Sequence, residues 1–381
     1  MRITNVRAYR LKPRWLFLKV ETDAGICGWG ECISGTRTET VVRCIQETAQ
    51  KIIDHDPEDI EGIWQNLYRY FFRGGPVHMT CVSGIEMALW DIKGKAHGMP
   101  VHQMLGGRAR DRIKVYSWIG GDRPEDAPAQ AIQRRDAGFT AVKLNCCSEM
   151  HYIDNYKKVE EVLERVAAIR KAVGYDLDVG LDFHGRVHFP MAKVLVRELE
   201  QFHPMFVEEP VLPENGEKMR DLAALSSIPI ACGERLVTRW GYKQVFADGA
   251  VNVIQPDVSL VGGISEAHKI CAMAEAYDIA AAPHAPYGPV ALAATLQLDA
   301  CTPNVFIQEQ SLGIHYNQGF DLLDFVRNKE VFEFHDGFVQ IPEGPGLGLE
   351  LDEDMIEANA LDDLNWSNPE WKNYDGTRAE W

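Results

Sequence analysis

The sequence predicts an α/β protein: a (β/α)7β barrel of the TIM type with an α+β capping domain. Two observations carry that reading. From about residue 113 short apolar runs alternate with amphipathic stretches of one helix's length, and there are eight such runs. Six of the runs end, one after another, in an ionisable residue. The length agrees, because 381 residues exceed what one core usually holds and leave room for an appended unit.

Residues 1–31 alternate as strands do, with Ile3, Val6 and Ala8, then an apolar run at 16–20, then Gly-Ile-Cys-Gly-Trp-Gly-Glu at 25–31. The turn-rich Glu-Thr-Asp-Ala-Gly at 21–25 makes them an antiparallel meander. Helical spacing follows at Val41, Cys44, Ile45 and Ala49, and again at Ile63, Leu67 and Phe71. A long helix is expected at about 78–97, with Ile85, Ala88, Leu89 and Ile92 on one face and Gly-Met-Pro at 98–100 ending it. These elements, residues 1–112, form the N-terminal α+β unit.

Barrel strands are expected at 113–118, 141–144, 177–182, 205–208, 228–232, 251–254, 279–282 and 305–307, in a unit spanning 113–325. An open doubly wound sheet would carry a Gly-rich phosphate turn after its first strand, and Gly120-Gly121 followed by Asp-Arg-Pro is not that fingerprint. Beyond 325 the periodicity stops. The segment 326–381 holds Trp366, Trp371 and Trp381, and three indoles are costly to leave in water, so it is expected to pack back on the capping unit.

Charge narrows the function. With 39 Lys+Arg against 56 Asp+Glu the chain carries −17, a field that repels phosphate and disfavours nucleic acid or an anionic membrane as partner. An anionic substrate would need a metal or a local cluster of cations. No apolar run approaches membrane-spanning length and the start lacks a signal-like stretch, so a cytoplasmic protein is expected. Nine cysteines, an odd number without CxxC spacing, read as reduced thiols and not as a disulfide framework or zinc site.

The candidate chemistry stands at the strand ends: Asp182, Glu208, Glu234, Asp257, His284 and Glu309, at intervals of 26, 26, 23, 27 and 25 residues. Barrel strands converge at one mouth, where such proteins place their sites. Taken singly, each acid could be a solvated cap or an ion-pair partner, and either Glu208 or Glu209 could be the inward one. Together, so many ionisable groups at one mouth call for a hard divalent cation held by carboxylates, and magnesium suits that donor set. His184 follows Asp182 by two residues and faces the same way. His284 could meet Asp257 on the neighbouring strand, the pairing that makes a general base. Lys143, at the end of the second run, could face a substrate carboxylate, while Asn145 can hydrogen-bond but cannot take a proton.

These residues resemble the enolase superfamily, in its mandelate racemase branch. The likeness runs along nearly the whole chain, through Gly-Trp-Gly-Glu at 28–31, Ala-Leu-Trp-Asp-Ile-Lys-Gly-Lys at 88–95, Asp-Phe-His-Gly-Arg at 182–186, Val-Glu-Glu-Pro at 207–210, Gly-Glu-Arg at 233–235, Gln-Pro-Asp at 255–257 and Ala-Pro-His at 282–284. The resemblance implies that Asp182, Glu208 and Glu234 bind Mg2+, and that His284, supported by Asp257, removes the proton next to a substrate carboxylate. It makes His184 the acid that protonates a departing hydroxyl and Glu309 a stabiliser of the enolate. Lys143, Asn145, Arg14, Arg73 and His315 are the candidate substrate contacts. The activity implied is dehydration of a sugar acid, D-galactonate first, to a 2-keto-3-deoxy acid by a higher homo-oligomer, such as an octamer.

Three competitors keep part of this site. Another aldonate or aldarate dehydratase, or an acid-sugar epimerase, would use the same residues. A barrel glycosidase would use paired carboxylates without a metal. A binding protein on the same scaffold should have lost some of Asp182, Glu208, Glu234, His184 and His284, and all five are present.

Overall fold

A computed structural model describes residues 1–69, 73–121 and 126–380. Strands β1 (Ile3–Leu11), β2 (Trp15–Thr22) and β3 (Cys27–Ile33) form the expected antiparallel meander. Three helices follow: α1 (Thr38–Ala49), α2 (Ile60–Tyr68) and the long α3 (Pro76–His97). Phe71, expected to continue the periodicity of α2, lies outside the described residues.

The Gly-Trp-Gly-Glu run of β3 has a steric cause. A methyl group on Gly28 would stand 2.0 Å from the carbonyl oxygen of Ala88, and one on Gly30 would stand 1.9 Å from that of Gly84. Helix α3 therefore lies directly on the strand, backbone against backbone, as only glycine permits. Gly98, in the left-handed conformation (φ 64°), ends the helix, as the Gly-Met-Pro run predicts.

The barrel strands are β5 (Ser117–Trp118), β6 (Ala141–Asn145), β7 (Asp178–Asp182), β8 (Phe206–Glu208), β9 (Ile230–Cys232), β10 (Val253–Ile254) and β11 (Ala280–Ala281), parallel and paired in sequence order. Two expectations are adjusted. The run at 113–118 is split, because β4 (Arg112–Lys114) pairs antiparallel with a strand at Phe338–Gln340, while Ser117–Trp118 joins the barrel. The eighth run forms no regular strand. It closes the barrel through single bridges, Val305 to Ala281 on one side and Gln308 to Val115 on the other.

The segment after 325 touches both parts of the molecule. Phe338–Gln340 extends β4, and Leu361 donates its N–H to Arg10 O at 2.9 Å while Glu353 pairs with Lys19 at 2.7 Å on the meander. Trp371 is buried, as an indole at that position requires; Trp381 lies outside the described residues. Within the described residues no helix is long and apolar enough to cross a membrane.

Candidate active site

Strand register decides which side chains meet. Asn145, Asp182 and Glu208 are consecutive partners across β6, β7 and β8, so their side chains leave the sheet on one side at one level. Directly after β8 the chain turns: Glu209 has φ 40°, and it points to Arg235 (Nε to Oε2, 2.9 Å) instead of joining Glu208. That settles which of the two neighbouring glutamates belongs to the cluster.

Asp182, Glu208 and Glu234 each offer a carboxylate oxygen within 4.8 Å of the other two. Lys143 Nζ sits 2.9 Å from both oxygens of Glu208 and 2.9 Å from Glu309 Oε1. Asp182 accepts the backbone N–H of His184 on Oδ1, while its buried Oδ2 has no hydrogen-bond partner. Burial, with Glu234 adding to it and Lys143 opposing, pushes the Asp182 carboxyl up to about 6. Burial and the neighbouring Asp182 raise Glu208 too. Lys143 Nζ bonds Glu208 and stands 3.9 Å from Asp182 Oδ2, beyond hydrogen-bond reach. An orphaned buried oxygen within an all-oxygen donor set fits a hard divalent cation.

Two histidines flank Glu234. His284 Nε2 lies 3.3 Å from Glu234 Oε2, and His184 Nε2 lies 3.7 Å from Glu234 Oε1. His284 Nδ1 bonds Asp257 Oδ2 at 2.6 Å, which leaves Nε2 facing the cluster. Burial opposes a charge on His284, but Glu234, Glu309 and Asp257 outweigh it and hold the imidazole at about 10. Burial drives His184 the other way, well below its ordinary value. Arg235 holds His184, donating to its carbonyl at 2.8 Å with the same Nη2 3.3 Å from Nδ1. Glu309 is fixed by Trp118 Nε1 (2.9 Å) and by the N–H of Ala285 (3.0 Å).

These groups surround a cavity of about 310 Å³ whose far wall carries Arg14, Tyr287, Tyr316 and Trp366. Asn145 and Arg14 line it, as expected. Lys143 is fully buried against Glu208 and Glu309, so its charge serves the carboxylates. Arg73 stands exposed over the Tyr68 ring, and His315 packs on Tyr316; neither belongs to the lining. Sequence reasoning gave no site role to Arg235, Tyr316 or Trp366. Arg235 adjoins Glu234 in the Gly-Glu-Arg run and could have been found there, whereas Trp366 has no local signal.

A barrel whose strand ends gather acids, a lysine and two histidines under a meander-and-helix cap defines a class, and comparison bears this out. Residues 6–106 match the N-terminal domain of mandelate racemase/muconate lactonizing enzymes, and residues 126–355 match the enolase C-terminal domain-like family. The chain belongs to this family of the enolase superfamily, whose enzymes generally use a divalent metal ion. Its relatives include D-galactonate dehydratases of Pectobacterium atrosepticum (52% identical), Variovorax paradoxus (51%) and Ralstonia pickettii (50%), each over the full length of both chains. A crystal structure of a mandelate racemase/muconate lactonizing enzyme from Sulfitobacter sp. superposes with a TM-score of 0.88 at 30% identity, covering 96% of this chain and 98% of that one. An enolase-superfamily member from Salmonella Typhimurium gives 0.84 at 31%, over 93% and 97%.

Proposed function

We propose that this protein is a magnesium-dependent hydro-lyase that converts D-galactonate into the corresponding 2-keto-3-deoxy acid and water. One observation carries the reading: two imidazoles, His284 and His184, face the same carboxylate cluster from either side of Glu234. Full-length relatives near 50% identity that are D-galactonate dehydratases supply the substrate.

A proton next to a carboxylate is scarcely acidic, because removing it places a second negative charge on an anion. Asp182, Glu208 and Glu234 would hold Mg2+, which when bound supplies positive charge to the substrate carboxylate as that charge develops. His284 Nε2, its ring oriented by Asp257 through Nδ1, takes the proton from C2 in its neutral form, which a cation on the neighbouring carboxylates would favour by offsetting the charges that raise it. The released electron pair is held first as the enolate of the carboxylate, then forms the C2–C3 double bond as the C3–O bond breaks. His184 delivers a proton to the leaving oxygen, so that water departs and not hydroxide. Its low proton affinity makes it a strong acid once charged. Glu309, held by Trp118 and Ala285, lies beside Lys143 and orders the enolate side of the site. The enol then tautomerises to the 2-keto acid. Asn145 stands at the end of β6 where a lysine could act as a second base; an amide cannot carry a proton, which favours elimination over racemisation.

The test is 2-keto acid formation across a panel of aldonates and aldarates, with magnesium and with EDTA. Metal-dependent product from D-galactonate is expected. Product from a different acid only would move the specificity, and no product from any acid would overturn the dehydratase reading.

A further inference from the structure

Two parts of the cavity differ in chemistry. The barrel-strand ends bring the acids, bases and carboxylates. The opposite wall brings Arg14, between β1 and β2, enclosed by three aromatic rings from three distant stretches of chain. The Arg14 guanidinium carbon lies 5.2 Å from the Tyr287 ring centre, 4.9 Å from Tyr316 and 5.3 Å from Trp366, and the last two rings meet edge to face. Arg14 is 8% exposed, donates Nη2 to Pro286 O at 2.8 Å, and leaves its buried Nε without a hydrogen-bond partner. Among the described residues no carboxylate forms an ion pair with it. A guanidinium that lines a cavity and pairs with no carboxylate asks for a hydrogen-bond acceptor from the ligand.

The Trp366 ring belongs to the C-terminal tail, and the tail is pinned on both sides of it. Leu364 is buried before it. After it, Trp371 is buried and stacks on the Arg186 guanidinium at 4.3 Å, next to the Asp-Phe-His-Gly-Arg turn that carries His184. Beyond Trp371 the chain folds back on itself, with Ala379 N–H donating to Trp371 O at 3.0 Å and Asn373 N–H to Thr377 O at 2.8 Å.

We infer that the C-terminal tail is a specificity-determining wall of the substrate site: Trp366, with Arg14, receives the distal end of the substrate's hydroxylated chain. This deepens the sugar-acid reading above and rests on it. The strand-end residues take C1 to C3, where the carboxylate, the acidic proton and the leaving hydroxyl are. The carbons beyond C3 have C–H faces that pack on an indole and hydroxyls that accept from a guanidinium, and this wall offers both. Asn368, also on the lining, adds an amide donor and acceptor on the same tail.

The test uses the full-length, magnesium-loaded protein. Calorimetric titration with D-galactonate and with a four-carbon aldonate, in a His284→Asn background that cannot turn the substrate over, reads binding, and steady-state kinetics with His284 intact separates KM from kcat. Trp366→Ala should weaken D-galactonate binding about ten-fold and raise KM similarly, with kcat within about three-fold and four-carbon binding unchanged. Trp366→Phe should restore most of the loss. Trp371→Ala, which keeps the Trp366 indole and removes its anchor, should show the same chain-length-selective weakening. Unchanged D-galactonate binding in Trp366→Ala, or equal weakening of both acids, would overturn the proposal. Wild-type protein that binds D-galactonate without forming a 2-keto acid would refute the dehydratase reading alone, and the tail would still stand or fall on the Trp366 titrations.

Discussion

Two groups of buried carboxylates, of the same residue types and similar burial, are used in opposite ways. At the seam between cap and barrel, Glu31 accepts the backbone N–H groups of Gly288 (2.7 Å) and Ala291 (2.9 Å), at the start of the helix Pro289–Cys301. Glu86 accepts those of Ile264 (2.7 Å) and Ser265 (2.9 Å) at the start of Ile264–Glu275, and the Trp90 indole N–H as well. Asp91 takes the Trp29 and Leu347 N–H groups and the Lys95 ammonium. Every seam oxygen has a donor from the protein, and helix N-termini supply much of it. At the mouth, Asp182, Glu208 and Glu234 face one another with one lysine between them and one oxygen unpartnered. Between these two groups burial makes no distinction; the source of the donors does. The seam is complete as it stands, and the mouth could hold a cation.

Breaking the mouth should give the largest effect, and it should fall on activity. Asp182→Asn or Glu234→Gln, like EDTA on the wild type, is expected to remove about 10³- to 10⁵-fold of dehydration, a loss of several kcal/mol of charge stabilisation. The melting temperature of Asp182→Asn, read by calorimetry without metal, should hold or rise, because burial and Glu234 already oppose the charge of Asp182. A large fall in melting temperature with activity retained would reverse the assignment of the two regions.

Within the mouth the two histidines should separate. His284→Asn is expected to cost about 10²- to 10⁴-fold and to abolish exchange of the C2 proton with deuterium oxide. His184→Asn should block water loss to a similar degree while leaving that exchange. Exchange that survives in the first variant would sink the base assignment.

Breaking the seam should move stability instead. Glu86→Ala strips the partner from two backbone N–H groups and an indole N–H, at a cost of about 2–3 kcal/mol. The melting temperature should drop by several degrees, with kcat per folded molecule unchanged at 25 °C.

The smallest effect sharpens the contrast through pH. Burial, against the pull of their backbone donors, holds Glu31 and Glu86 at about 7, whereas unfolded glutamates titrate near 4.5. Between those values the folded state binds more protons than the unfolded one, so this contribution is present below about 4.5 and is lost as pH rises towards 7. The melting temperature should decline by a few degrees from pH 5 to 7, and Glu31→Gln should flatten the decline. A rise over that range would contradict it.

Much of the site was legible because a barrel repeats. One ionisable residue per βα unit puts Asp182, Glu208, Glu234, Asp257, His284 and Glu309 at equivalent heights, and a period of about 25 residues is visible in the chain. The choice between Glu208 and Glu209 was not legible, since it depends on a single backbone turn with φ 40° and on an arginine from the next strand end. Lys143 was expected at the substrate and is instead enclosed by acids that come from other strands. Arg73 and His315 carry suitable chemistry, but they stand against Tyr68 and Tyr316 and neither lines the cavity.

The sequence by itself determined the elements and their kind: the meander, the long helix, the barrel rhythm and its acids. Those follow from spacing over a few residues, where side-chain period and backbone geometry are coupled. Tertiary structure alone decided which oxygens would be paired and which left for a cation, how the eighth strand closes the barrel, and that Trp366 reaches Arg14 across the whole length of the chain. Contacts between distant segments leave no period in the sequence, because their geometry is set by how the elements pack and not by the residues beside them.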